Sequence, residues 1–148
     1  MRLRVAAWAG RGRGRVLLLP GRTEYLEKYG PIVAQLTARG FSVASLDWRG
    51  QGASDRDAEV DRLGHVGDFA EYQDDLDALM RWGEGRTSSN GPTLLMSHSM
   101  GGCIALRALI DGALSTSARR PDAAIFSAPM WGLALPAAGA ALAQGQSP

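Results

Sequence analysis

The sequence predicts an α/β protein, a mostly parallel sheet with helices on both faces. Three observations carry that expectation. Short, near-continuous apolar runs alternate along the chain with stretches of helical periodicity. Turn residues punctuate the boundaries, as in Pro20-Gly21 and Gly40. One apolar run, ending at Ser97, passes within a few small residues into an apolar helical stretch. The scale fits a single domain: 148 residues, 45% apolar and 21% charged, a composition that argues against disorder.

The elements follow in order. Leu3 to Trp8 reads as a strand. Gly10–Arg15 alternates Gly and Arg, which would suit either an arginine-glycine nucleic-acid segment or, as preferred here, a flexible turn. Arg15 to Leu19 is a short buried strand closed by Pro20-Gly21. From Pro31 to Arg39 the residues Ile32, Val33 and Leu36 share one helical face, and Gly40 supplies the stop. Phe41 to Leu46 is a strand, followed by a long Gly-rich, acidic loop from Asp47 to Gly67.

Asp68 with Glu71 forms a capping-box pattern. Phe69, Tyr72, Leu76, Leu79 and Met80 then lie on one helical face, and Gly83 ends it. Asp74, Asp75 and Asp77 fall largely off that face; they read as a solvated surface rather than a metal site. Pro92 to Ser97 is a strand, Gly101 to Leu114 a helix apolar on most sides, and Asp122 to Ser127 a further strand.

Charge and composition exclude several classes. Sixteen basic and fifteen acidic residues leave a net charge of +1, so nothing electrostatic points to nucleic acid as a partner. A single cysteine, Cys103, excludes an internal disulfide, and with His65 and His98 the only histidines a Cys/His zinc cluster is excluded too. The apolar N-terminal stretch is too short for a secretory signal and is followed at once by Arg11, Arg13 and Arg15. The longest uncharged run, Ala123 to Pro148, is interrupted by Pro129 and Pro136, so it reads as a buried strand with a weakly structured tail, not a membrane span. The expected compartment is the cytoplasm, with peripheral contact with the inner membrane left open.

The segment that carries chemistry is Ser97-His98-Ser99-Met100-Gly101-Gly102. A sharp strand-to-helix turn needs small residues on both sides of its apex, because the chain folds back closely on itself. The apex side chain, Ser99, is then held above the carboxyl end of the sheet, next to helix N–H groups and a positive dipole end that favour an oxyanion. Ser97 stands where such turns usually carry Gly. The plainer reading is Ser99 as a helix N-cap. A second segment, Leu17-Leu18-Leu19-Pro20-Gly21-Arg22, ends a strand at a turn from which the Arg22 N–H could serve as a further oxyanion donor.

These segments resemble a family. Pro20-Gly21-Arg22-Thr23-Glu24-Tyr25, Leu46-Asp47-Trp48-Arg49-Gly50-Gln51-Gly52-Ala53-Ser54-Asp55, Gly64-His65-Val66, His98-Ser99-Met100-Gly101-Gly102 and Ala128-Pro129-Met130 run in the order found in bacterial lysophospholipases, which lie close to the monoacylglycerol lipases in the α/β-hydrolase superfamily. The resemblance covers roughly Leu3 to Leu133. It implies a serine hydrolase acting on a small-molecule lipid ester through an acyl-enzyme, with Ser99 as nucleophile, the N–H groups of Arg22 and Met100 as oxyanion donors, Ser97, Gly101 and Gly102 supporting the elbow, and no metal or organic cofactor.

Such an enzyme also needs a histidine base and an orienting acid, which in this superfamily follow the nucleophile. After Ser99 there is no His, and the only acids are Asp111 and Asp122, both away from the carboxyl end of the sheet by this reading. His98 adjoins the nucleophile, so its side chain leaves the elbow in another direction. His65 could approach a substrate pocket, though a loop or cap hydrogen bond is its simpler role. The expected organisation is therefore a partial α/β-hydrolase core over 1–133, incomplete at its C-terminal end, with 134–148 opening a lid or tail. The catalytic Asp and His would lie outside this chain, leaving it inactive alone. A non-catalytic binding fragment, or an acyltransferase or thioesterase on the same fold, are the other readings.

Overall fold

A computed structural model describes residues 1–56, 64–84, 86–87, 91–112 and 120–132. Five strands form one sheet: β1 (Val5–Trp8), β2 (Gly14–Leu19), β3 (Phe41–Leu46), β4 (Thr93–His98) and β5 (Ala123–Ser127), in the order β1-β3-β2-β4-β5. Only β1 is antiparallel, pairing with β3 from Val5 opposite Leu46 to Trp8 opposite Val43. The other three pairings are parallel.

Among the described residues three α-helices connect the strands: α1 (Gly30–Ala38), α2 (Glu71–Gly83) and α3 (Met100–Ile110). Strand β2 supplies both faces of the core, because alternate residues point to opposite sides. Val16 and Leu18 meet Tyr29, Val33 and Val43 on the α1 side. Leu17 and Leu19 meet Leu76, Leu79, Ile104 and Ala105 on the α2/α3 side. This is why the strand reads as an uninterrupted apolar run. From β2 the chain moves to β3 on one side, and β4 then pairs with β2 on the other. The carboxyl ends of β2 and β4 therefore lie at a topological switch point, where their loops diverge and leave a crevice.

The capping box at the start of α2 is present. Asp68 N–H donates to Glu71 Oε1 at 2.9 Å, and Ala70 N–H donates to Asp68 Oδ1 at 2.7 Å. Among the described residues no helix is long and apolar enough to cross a membrane.

Several expectations need correction. Ile32 does not share the buried face of α1: it is 39% exposed while Val33 is buried, because the helix rests on the sheet along a narrower stripe than its apolar residues would allow. Asp75 is not on a solvated face. It is 1% exposed, and its carboxylate receives Arg49 Nε at 2.9 Å, Arg49 Nη2 at 2.6 Å and the Arg49 N–H at 3.0 Å. Strand β5 is not buried: it is an edge strand with Ile125 47% exposed. Helix α3 starts one residue earlier than expected, at Met100; Leu114 and residues 133–148 lie outside the described residues. A short 3-10 turn at Leu26–Tyr29, unforeseen in the sequence, leads into α1.

Candidate active site

At the end of β4 the backbone turns sharply through Ser99, whose φ is 49° and ψ −119°. A non-glycine residue in this left-handed region is strained and persists only where its surroundings over-determine it. Three main-chain bonds do so: Ser99 N–H donates to Ser127 O at 3.2 Å, while Ser99 O accepts from Gly102 N–H at 2.9 Å and Met130 N–H at 3.0 Å. Ser99 does occupy the N-cap position of α3, but its side chain makes no capping bond.

The small residues around the apex have steric reasons. A Cβ on Gly101 would lie 2.5 Å from both the Leu19 and Pro20 carbonyl oxygens, and one on Gly102 would lie 2.8 Å from Pro129 Cβ. Ser97 is accommodated because its buried hydroxyl donates to Ile125 O at 3.2 Å. The N–H groups of Met100 and Gly101, the first two residues of α3, come too early in the helix for an intrahelical carbonyl partner.

The loop after β2 comes up against this elbow. A Cβ on Gly21 would sit 3.1 Å from Ser99 Cβ and 2.8 Å from Glu24 Oε2, so Arg22 follows directly on a residue in contact with the serine. Two segments far apart in sequence, the elbow and the Pro20–Glu24 loop, are thus brought together.

Glu24 organises the space between them and was unassigned from sequence. It is 7% exposed. It accepts the Gly21 N–H at 2.6 Å and Lys28 Nζ at 2.5 Å, and it receives the Tyr29 hydroxyl. Burial pushes its pKa up, but the bonds from Lys28, Tyr29 and Gly21 outweigh that and hold it below the ordinary glutamate value. Tyr29 moves the other way: burial first, then its bond to Glu24, raise the phenol.

The two histidines are placed apart from one another. The His98 ring lies with Nδ1 3.1 Å from Ser127 O and Nε2 3.9 Å from Glu24 Oε1. His65 is exposed, with its carbonyl beside Gly50. Asp111 caps the end of α3 and pairs with Arg107, while Asp122 accepts the Thr93 N–H at 2.7 Å, at the end of the sheet opposite Ser99. A groove of about 260 Å³ adjoins the elbow, with Leu18, Ile32 and Met96 as apolar walls and Glu24, Lys28 and His98 as its polar part. Among the described residues no group of three His, Cys, Asp or Glu is arranged to hold a metal.

The Asp47–Gly52 segment is the second feature the sequence left without a role. Asp47 is fully buried, and its carboxylate accepts the Leu26 N–H at 2.8 Å and the Ala53 N–H at 2.9 Å. Trp48 Nε1 donates to Pro20 O at 2.8 Å, and Gln51 Oε1 accepts the Thr23 N–H at 2.5 Å. The signal available in the sequence was a Trp and an Asp at the end of an apolar strand, where buried polar groups need partners.

Comparison with known proteins agrees with this fold. Residues 10–147 match the family described as "Serine aminopeptidase, S33". The chain is 36% identical over 126 residues to "Lysophospholipase L2" of Escherichia coli strain K12, which covers 81% of this chain and 34% of that protein. It is 31% identical over 91 residues to "Phospholipase YtpA" of Bacillus subtilis strain 168, covering 62% of this chain and 32% of that one. The match thus spans about a third of the length of these relatives. Among solved structures, the Paleococcus ferrophilus monoacylglycerol lipase superposes with a TM-score of 0.73 at 24% identity, over 98% of this chain and 51% of that one.

Proposed function

This chain belongs to the serine aminopeptidase S33 family of α/β-hydrolases, and from that premise we propose that it carries the nucleophile and oxyanion hole of a carboxylic-ester hydrolase acting on lysophospholipids or monoacylglycerols. The observation that carries the reading is Ser99: a left-handed apex pinned by three main-chain bonds, with the Gly21 backbone in contact on one side and the start of α3 on the other. A residue is held in strain of this kind where its side chain must be presented in one direction.

In the proposed reaction Ser99 Oγ attacks the ester carbonyl carbon as a histidine base removes its proton. The carbonyl oxygen becomes an oxyanion between the N–H groups of Arg22 and Met100. Collapse breaks the ester bond, the alcohol leaves with the proton from the base, and water then releases the fatty acid from the acyl-serine. The base and its orienting carboxylate are assigned to residues outside these 148. The Ser127 and Glu24 neighbours of His98, and the exposed position of His65, favour that assignment. On this reading 1–133 is the nucleophile-bearing core and 134–148 leads into a lid.

The substrate class rests on the relatives named above. The test is Ser99→Ala in the natural protein that contains this chain. Turnover of a monoacylglycerol or lysophospholipid is expected to fall by at least about 10³-fold, and labelling by a fluorophosphonate probe to disappear. Retained turnover overturns the nucleophile assignment.

A further inference from the structure

The Arg22 N–H can act as an oxyanion donor only if its peptide plane is fixed before the reaction, since a donor that must reorient loses most of its effect. The planes on either side of it are both held. The Pro20–Gly21 peptide is gripped at each end: Pro20 O accepts from Trp48 Nε1 at 2.8 Å, and Gly21 N–H donates to Glu24 at 2.6 Å. The Arg22–Thr23 peptide is gripped likewise: Thr23 N–H donates to Gln51 Oε1 at 2.5 Å, and Arg22 O accepts from Thr23 Oγ1 at 2.6 Å. The plane left between them is the one that bears the Arg22 N–H.

Thr23 itself has a φ of 60°. For a β-branched residue this is an outlier, and it needs an outside hold. Gln51 is that hold and is itself fixed. It sits between Gly50 and Gly52, both at positive φ, with its own N–H bonded to Trp48 O at 3.0 Å and its carbonyl to Ser54 N–H at 3.1 Å. A side chain on Gly52 would run into Asp47, at 2.2 Å from its carboxyl carbon. The segment is tied to α2 through Arg49 and Asp75. The Gln51 side-chain amide is buried beside the Tyr72 hydroxyl, and its Oε1 accepts the Thr23 N–H.

We propose that Gln51 and Trp48 are positioning residues for the oxyanion donor on Arg22, acting through the two peptide planes that flank it. This rests on the reading of Ser99 and Arg22 given above. It assigns the Asp47–Gly52 segment a role in the transition state rather than in binding the substrate.

The experiment compares Gln51→Met, which keeps the side-chain length and removes the acceptor, with Gln51→Glu, which keeps an acceptor oxygen, in the natural protein. Hydrolysis of a short p-nitrophenyl ester is measured together with inhibition by an alkyl boronic acid, which forms a tetrahedral adduct on the serine. Gln51→Met is expected to lower kcat by about 10- to 100-fold, with KM held within about twofold. Boronate affinity should fall in step, and Gln51→Glu should restore most of the loss. Trp48→Phe, which removes the indole N–H donor along with part of the buried ring, should show the same pattern and decides the matter if Gln51→Met does not fold and this variant does. A folded Gln51→Met enzyme with unchanged kcat, or with a raised KM and unchanged boronate affinity, overturns the proposal. Ser99→Ala run beside it separates the two failures: if that variant retains turnover, the active-site reading falls instead.

Discussion

The two sides of the candidate site are built by different means. On the elbow side, Ser99 is held by main-chain bonds and by the absence of side chains at Gly101 and Gly102. On the loop side, residues 20–26 are held by side chains reaching in from elsewhere: Trp48, Glu24, Gln51 and Asp47. Backbone-determined geometry tolerates change poorly but asks little of its neighbours. Side-chain-determined geometry can be adjusted one bond at a time, so it is where a fold of this kind can tune a donor without rebuilding the sheet.

The largest expected effect tests the foundation of the loop side. Arg49 joins the Asp47–Gly52 segment to buried Asp75 and to Glu71. Arg49→Met leaves the buried Asp75 charge without its cation, keeping only the main-chain N–H of residue 49, and should cost about 3–5 kcal/mol, read as a drop in urea midpoint. A loss under about 1 kcal/mol would show that the loop side does not depend on that tie.

The elbow side is tested by Gly101→Ala. The new methyl would meet two carbonyl oxygens at 2.5 Å, both rigid backbone at the end of β2. The expected destabilisation is about 3 kcal/mol, with fluorophosphonate labelling lost even where the protein remains folded. Full labelling would mean that the close approach of α3 to β2 is dispensable.

The smallest effect sharpens the comparison through pH. The Glu24 pKa is lowered in the folded state despite its burial. Its contribution to stability is therefore complete above the unfolded value near 4.5 and is lost as the pH falls through the lower folded value. Glu24→Gln should be less stable than the wild type at pH 7, and the gap should close as the pH drops below about 4.5. A gap constant from pH 7 to pH 3 would show that the carboxylate charge is not what holds the Gly21 N–H.

Much of the molecule was legible in residue order, and the reason is locality. The strands at Gly14–Leu19 and Phe41–Leu46 and the capping box at Asp68 are set by neighbours a few residues away, and the run of small residues that marks the elbow at Ser97–Gly102 is local too, though the atoms that require it, on Leu19, Pro20 and Pro129, are distant in sequence. The nucleophile candidate belongs to this class. So did the match of family segments that pointed to a hydrolase, although the partners of Ser99 in catalysis were not to be read from any residue after it.

What residue order could not convey was decided by contacts between distant segments. Asp75 looks like its neighbours Asp74 and Asp77 until Arg49, 26 positions earlier, is laid against it. Ile32 looks like Val33 until the sheet takes one and leaves the other exposed. Gln51 and Trp48 acquire a role only when Thr23 and Pro20, 28 residues back, arrive beside them. A buried polar group must find a partner, but nothing in its own neighbourhood says which one. That choice is made when β2, β3 and β4 pair and bring their carboxyl ends to a single crevice.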